Sequence, residues 1–215
     1  MDRKRLIISI LVFGSLWGFL EATLGGFLHF IHLPQKGIIM ASIAVGIMSM
    51  TRAMYHRPGM QLAMGIIAVA LKSTNALFLG ADVVRPMIAI LLEAAIFDAA
   101  VTFLVKVNTK DYMKAVAGAI AGWGSIIGLA FIMAYALKIG FWVKIGFFGI
   151  LEYLATEGAF IAFGCAIAAV LGSMICSVTK IKLPSVYSLK SKIYYPSSAA
   201  FISAFWIFGV FLVFA

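Results

Sequence analysis

The chain has 215 residues, of which 64% are hydrophobic and 12% charged, with a mean hydropathy of +1.09. A soluble domain carries roughly a quarter charged residues, so this composition excludes a water-soluble fold and predicts an all-α, polytopic transmembrane helical bundle of six or seven spans. The net charge of +9 does not point to nucleic acid, because the basic residues stand in short clusters between apolar runs.

The apolar runs are near the ~20 residues that a helix needs to cross about 30 Å of hydrocarbon. The first, from about Leu6 to Ile31, is too long for the apolar region of a signal peptide and lacks a small-residue cleavage site, so it reads as a retained helix. Gly14, Gly18, Ala22 and Gly26 recur along it every four residues. Such a ladder allows close helix contact, either inside the bundle or against another subunit. The same span carries Glu21, with His29 and His32 above it.

The second predicted span runs from about Gly37 to Met54. The third, Pro58 to Gly80, contains the polar run Lys72-Ser73-Thr74-Asn75, and the fourth, Arg85 to Val107, contains Glu93 and Asp98. The fifth, Met113 to Leu137, sets Trp123 among small residues. Phe141 and Trp142 follow in a loop, as an interfacial belt or a lid. The sixth, Phe147 to Val178, carries Glu152 and Glu157, together with Cys165 and Cys176, whose spacing suits packing rather than a disulfide framework or a metal.

A polar loop from about 179 to 196 suits a cytoplasmic edge resting on anionic lipid headgroups. The last hydrophobic segment, about Ser198 to Ala215, is either a seventh crossing or a surface or re-entrant piece. All five prolines fall at or beside the proposed ends, where the missing donor costs least. The whole chain, 1–215, is read as one integral membrane domain with its core at about 6–178.

Lysine and arginine bias loops toward the cytoplasm. With the N-terminus inside, twelve of the seventeen basic residues fall on inner segments, four on outer loops, and Lys72 lies within a span. The chain is therefore expected to be a multi-pass cell-membrane protein with a cytoplasmic N-terminus.

Ionisable groups inside spans are costly, roughly 2.5 to 3.5 kcal/mol each near the bilayer centre on insertion scales. Glu21, Lys72, Glu93, Asp98, Glu152 and Glu157 must be paired, protonated or turned to a wet cavity. Two readings follow: interhelical ion pairs, or a substrate pocket opening outward. In the pocket reading Lys72 pairs with Glu93 on the consecutive helix, Glu21 and Glu157 face the cavity, Glu152 lies near its outer edge, and His29, His32, Asn75 and Trp123 supply secondary contacts. Five carboxylates against one lysine favour a ligand that is cationic or rich in donors.

No metal-binding or nucleophile motif of an intramembrane enzyme is present, and no phosphate-binding loop for ATP. No catalytic residue, metal or cofactor is assigned. A self-sufficient secondary transporter or channel is the main alternative, although the internal repeats common in that class are not evident.

The run Trp17-Gly18-Phe19-Leu20-Glu21-Ala22, with Leu33-Pro34, Gly37, and Gly65 followed by Lys72, resembles the substrate-binding S component of an energy-coupling factor transporter over about Leu6 to Val178. The resemblance implies capture of a vitamin-like small molecule. It also implies a transmembrane T subunit and two ATPase subunits as partners, with Gly14, Gly18 and Ala22 as the face that docks the T subunit.

The orientation can be tested in a chain lacking Cys165 and Cys176. A single cysteine at Lys110 is expected to resist an impermeant thiol reagent in intact cells, while one at Lys138 is modified. Labelling at Lys110 from outside overturns the topology.

Overall fold

The computed structural model describes residues 3–33, 35–79, 83–104, 110–182 and 191–214, and among them every regular element is helical. The helices are α1 (Arg3–Phe30), α2 (Lys36–Tyr55), α3 (Met60–Leu79), α4 (Val84–Phe103), α5 (Asp111–Phe131), α6 (Gly140–Tyr153), α7 (Ala159–Lys182) and α8 (Ser191–Phe214). Short π-helical turns at Ile132–Ala136 and Leu154–Gly158 follow α5 and join α6 to α7. Among the described residues six stretches are long and apolar enough to cross a membrane, with α6 and α7 counted as one. The twenty-residue α3 is packed among them, its Met60, Met64, Ala68 and Leu71 fully buried. The chain is thus a polytopic helical membrane protein.

Helices in lipid gain little from burying apolar surface against one another and rely on close van der Waals contact. Here α1 packs on α3, α7 packs on α2 and α5, and α4 bridges α3 and α5. A Cβ on Gly18 would lie 2.9 Å from Ala68 Cα, and one on Gly14 would lie 2.9 Å from the Met64 carbonyl oxygen. Ala22 is buried on the same face. The ladder of α1 is therefore filled by α3 of the same chain. This corrects the expectation that Gly14, Gly18 and Ala22 form an exposed docking face: side chains this small allow α3 to lie directly on the α1 backbone.

A polar cluster centred on Asp98 closes one end of the bundle. The Asp98 carboxylate on α4 accepts from the Gly59 amide at 3.0 Å and the Leu62 amide at 3.2 Å, capping the start of α3 from a neighbouring helix. It also accepts from Thr102 Oγ1 at 3.2 Å and lies 3.6 Å from Arg52 Nη1, and Arg52 in turn donates to Thr102 at 3.0 Å. Asp98 thus joins α2, α3 and α4.

Gly146 has φ +64° inside α6, a conformation that strains residues bearing a Cβ. The break falls where the sixth predicted span begins, at Phe147. The last segment departs from its predicted limits. Residues 179–182 continue α7, Ser191 already begins α8, and Pro196 lies inside that helix rather than before it. As the sixth residue of α8, Pro196 lacks the amide that would bond back to the Lys192 carbonyl, so the helix forgoes one hydrogen bond there. The centre of the expected polar loop, 183–190, lies outside the described residues.

The helix α8 lies on the flank of α1. Trp206 Nε1 donates to Ser15 Oγ at 3.0 Å, the Phe19 and Phe205 rings stand 5.5 Å apart, and the Arg5 guanidinium sits 5.3 Å from the Tyr194 ring centre. Most of α8 is otherwise uncovered.

Because Gly18 faces α3 backbone, Gly18→Ala is expected to destabilise the purified protein by about 1–3 kcal/mol through overpacking. Gly26→Ala, whose added methyl meets nothing within 4 Å, is expected to leave thermal stability unchanged or slightly raised. Equal behaviour of the two in a detergent melting series would refute the internal role of the ladder.

Candidate functional site

The C-terminal ends of α1 and α3 and the N-terminal ends of α2 and α4 meet at the end of the bundle opposite Asp98. Between them lies a cavity of about 570 Å³, within the range of small-molecule sites. Gly26, Gly37 and Arg85 are exposed at its rim, while Glu21, Lys72, Asn75 and Glu93 are buried at its floor. Met40, Ala41, Val83 and Ile90 supply apolar wall.

The floor is built from the contact of α1 with α3. Lys72 lies one turn beyond Ala68, and Glu21 and Ala22 lie one turn beyond Gly18, so the close approach at Gly18 brings the lysine onto α1. Lys72 Nζ donates to the main-chain oxygen of Glu21 at 2.6 Å. Asn75, three residues on, donates through Nδ2 to the Ala22 oxygen at 3.4 Å. Trp17, one turn before Glu21 on α1, donates its indole N–H to Glu21 Oε1 at 3.3 Å.

The expected pair of Lys72 with Glu93 is not formed. The ammonium is held at the α1 main chain, and the charge that acts on it is that of Glu21. Glu21 also acts electrostatically on Glu93, as a like charge. The reason is the register: the glycine contacts hold α3 tightly on α1, and the lysine is drawn to the nearer helix. The floor therefore carries two carboxyl groups and one lysine.

Its acceptors are less well supplied than its donors. Asn75 Oδ1 is buried without a hydrogen-bond partner, and among the described residues no donor reaches the Glu93 carboxyl group. Buried polar atoms are normally satisfied. Lys72 and the Asn75 amide nitrogen each give one hydrogen bond to an α1 carbonyl and keep further N–H groups.

Other predicted site residues lie elsewhere. Glu152 is exposed and Glu157 half-buried, both on the α6–α7 side, with Glu157 acting on Tyr153. Trp123 is turned away from the cavity, its Nε1 donating to the Leu154 carbonyl at 3.0 Å, in the π-helical turn. His32 is exposed in the turn between α1 and α2, and the His29 side chain lies outside the described residues. Glu152, Glu157, Trp123 and His32 are therefore not lining residues, because α5, α6 and α7 contribute no wall to the cavity. Trp142 is no lid over it either, being buried with its ring 5.1 Å from that of Tyr153.

Two residues at the cavity were not anticipated. Lys36 opens α2 and Arg85 stands in the first turn of α4, and both line the rim. In the sequence they served only to orient loops. Their signal was position, each being a long cationic side chain directly at the mouth of a predicted span.

No known protein family, curated protein or solved structure matches the chain.

Trp123→Phe tests the structural assignment of that residue. The change leaves the Leu154 carbonyl without its indole donor and is expected to cost about 1 kcal/mol, read as a lower melting temperature. Thermal stabilisation by any small molecule that binds the wild-type cavity is expected to persist; its loss would return Trp123 to the site.

Proposed function

We propose that the chain is a membrane-embedded substrate-binding subunit, of the kind represented by the S component of an energy-coupling factor transporter, which captures a vitamin-like small molecule for uptake. The observation that carries this reading is the cavity at one end of α1–α4, with Glu21, Lys72, Asn75 and Glu93 at its floor. Ionisable groups at membrane depth are costly to maintain and mark substrate sites by default. With the N-terminus cytoplasmic, as the basic residues favour, the open end faces outside and the end closed by Asp98 faces inside.

Energy for uptake comes from a companion in this reading, because the sequence has no phosphate-binding loop. A coupling T subunit and two ATPases fill that role. Their contact is not the Gly14, Gly18 and Ala22 face, which α3 occupies, so the T subunit uses another surface of the bundle.

The experiment is purification of the tagged full chain from its native cells. Co-purification of a second membrane protein with two ATPases is the expected outcome. If the chain alone, in proteoliposomes, drives concentrative uptake on an ion gradient, it is a secondary transporter and the subunit reading fails.

A further inference from the structure

We propose that the group recognised at the floor of this cavity is an uncharged carboxamide or lactam edge, one acceptor beside one donor, seated against Gly25 of α1. The inference rests on the cavity being the ligand site proposed above, and it departs from the cationic or donor-rich ligand that the count of carboxylates favoured.

Gly25 lies one turn beyond Glu21 on α1 and lines the cavity, so the two share a face of the helix. The place that a Cβ at Gly25 would take is bordered by Met40 Cε at 3.6 Å, Lys72 Nζ at 3.7 Å and Glu21 Oε2 at 3.8 Å. The glycine thus leaves a hollow with an ammonium and a carboxyl oxygen beside it and a methyl group as its third side. Lys72 gives one N–H to the Glu21 main-chain oxygen and keeps two. Trp17 bonds to Oε1 of Glu21, and among the described residues nothing donates to Oε2. No ion pair joins Lys72 to Glu21 or to Glu93 among those residues, so the remaining N–H groups and the remaining oxygen are not spent on one another.

A ligand group laid in that hollow has to accept from Lys72 and donate to Glu21 through adjacent atoms. A carboxylate accepts from the lysine but sets an oxygen against Oε2. An ammonium or amidinium donates to Oε2 but sets N–H against N–H, and charge against charge, at Nζ. Either leaves a buried polar atom opposed rather than paired, which is costly away from water. A carboxamide meets both with its oxygen and its nitrogen, and it brings no charge to be desolvated against the Met40 methyl. Its second N–H, or a further donor on a lactam ring, finds Asn75 Oδ1 and the Glu93 carboxyl group on the same floor, and among the described residues neither holds a hydrogen bond from the protein. Ala41, Val83 and Ile90 supply apolar wall for the ring that carries the group.

Isosteric probes separate these cases. One set is benzamide, benzoate and benzamidine; the other is cyclohexanecarboxamide, cyclohexanecarboxylate and cyclohexanecarboxamidine. Each is titrated against the purified full chain in lipid nanodiscs, with thermal stability as the readout. In each set that acts, the carboxamide is expected to half-saturate at a concentration about tenfold below either charged isostere. Gly25→Ala adds a methyl at ordinary contact distances, so the unliganded variant is expected to melt no lower than the wild type, while its carboxamide binding weakens about tenfold. Glu21→Gln keeps an amide oxygen on the Trp17 N–H and turns its nitrogen toward the hollow, so the order is expected to reverse, with the carboxylate the tightest of its set.

If a carboxylate or an amidine acts as strongly as its carboxamide in either set, the inference is overturned while the cavity remains a ligand site. Unaltered carboxamide binding by Gly25→Ala overturns the seat at Gly25; if that variant does not fold, an unreversed order in Glu21→Gln overturns it instead. If no probe stabilises the protein, the inference falls, and the binding-subunit reading is decided separately by the co-purification.

Discussion

Lipid offers helices no gain from hiding apolar surface, so α1 and α3 stay together only because Gly14 and Gly18 let the α3 backbone approach until Ala68 meets α1 directly. The positions of the buried charges follow from that contact. The two helices run parallel, one turn of α1 matching one turn of α3, and beyond Gly18 and Ala68 the next turn brings Glu21 and Ala22 against Lys72 and Asn75. A bulkier residue at Gly18 would separate the helices where the lysine needs its carbonyl. The cavity floor is thus a consequence of the packing ladder rather than a separate construction.

Charge at this depth is tolerated through a division of labour. Lys72 is held by a main-chain oxygen that already ends an α1 hydrogen bond, and Glu21 is steadied by Trp17, itself fully buried. Neither interaction neutralises Glu93. A structural ion-pair lattice would match each carboxylate with its own cation, as Asp98 is matched with Arg52 and two amides at the other end. The two ends differ in this: the Asp98 carboxylate has a cation and two amides against it, whereas among the described residues the Glu93 carboxyl group has neither.

Much of the fold was legible because hydropathy and proline position report directly on span length. The expected limits of the first five spans agree with α1 to α5 to within a few residues, and the break at Gly146 fell where the sixth begins. The site was less legible, since it depends on which faces meet. Lys72 and Glu93 were paired by adjacency in sequence, whereas the small residues of α1 give the first helix, distant in sequence, the stronger claim on α3. Glu157 and Trp123 were grouped with the cavity as polar groups inside spans, and position within a span carries no information about angle around the bundle. The ladder was read correctly as a close-contact face, but its occupant was not determined by spacing. Lys36 and Arg85 were hidden by their use as topology markers; each stands in the first turn of its helix, and α2 and α4 both begin at this rim.

The asymmetry between the ends also bears on how a bound molecule would leave. Alternating access requires the closed end to open, and in this bundle that end is tied by one carboxylate that caps α3, approaches Arg52 of α2 and bonds Thr102 of its own helix. Separating α2, α3 and α4 there would strand Asp98 and Arg52 together, and the loss of charge-assisted hydrogen bonds is costly in a poorly solvated place. The open end is built instead around the cavity, where Lys72 and Asn75 of α3 bond to α1 carbonyls. Release by internal rocking of these four helices is therefore disfavoured relative to release by moving the bundle as a body or by distortion imposed from outside. Either route needs work applied from outside the bundle, the work that the proposed companion subunits would supply.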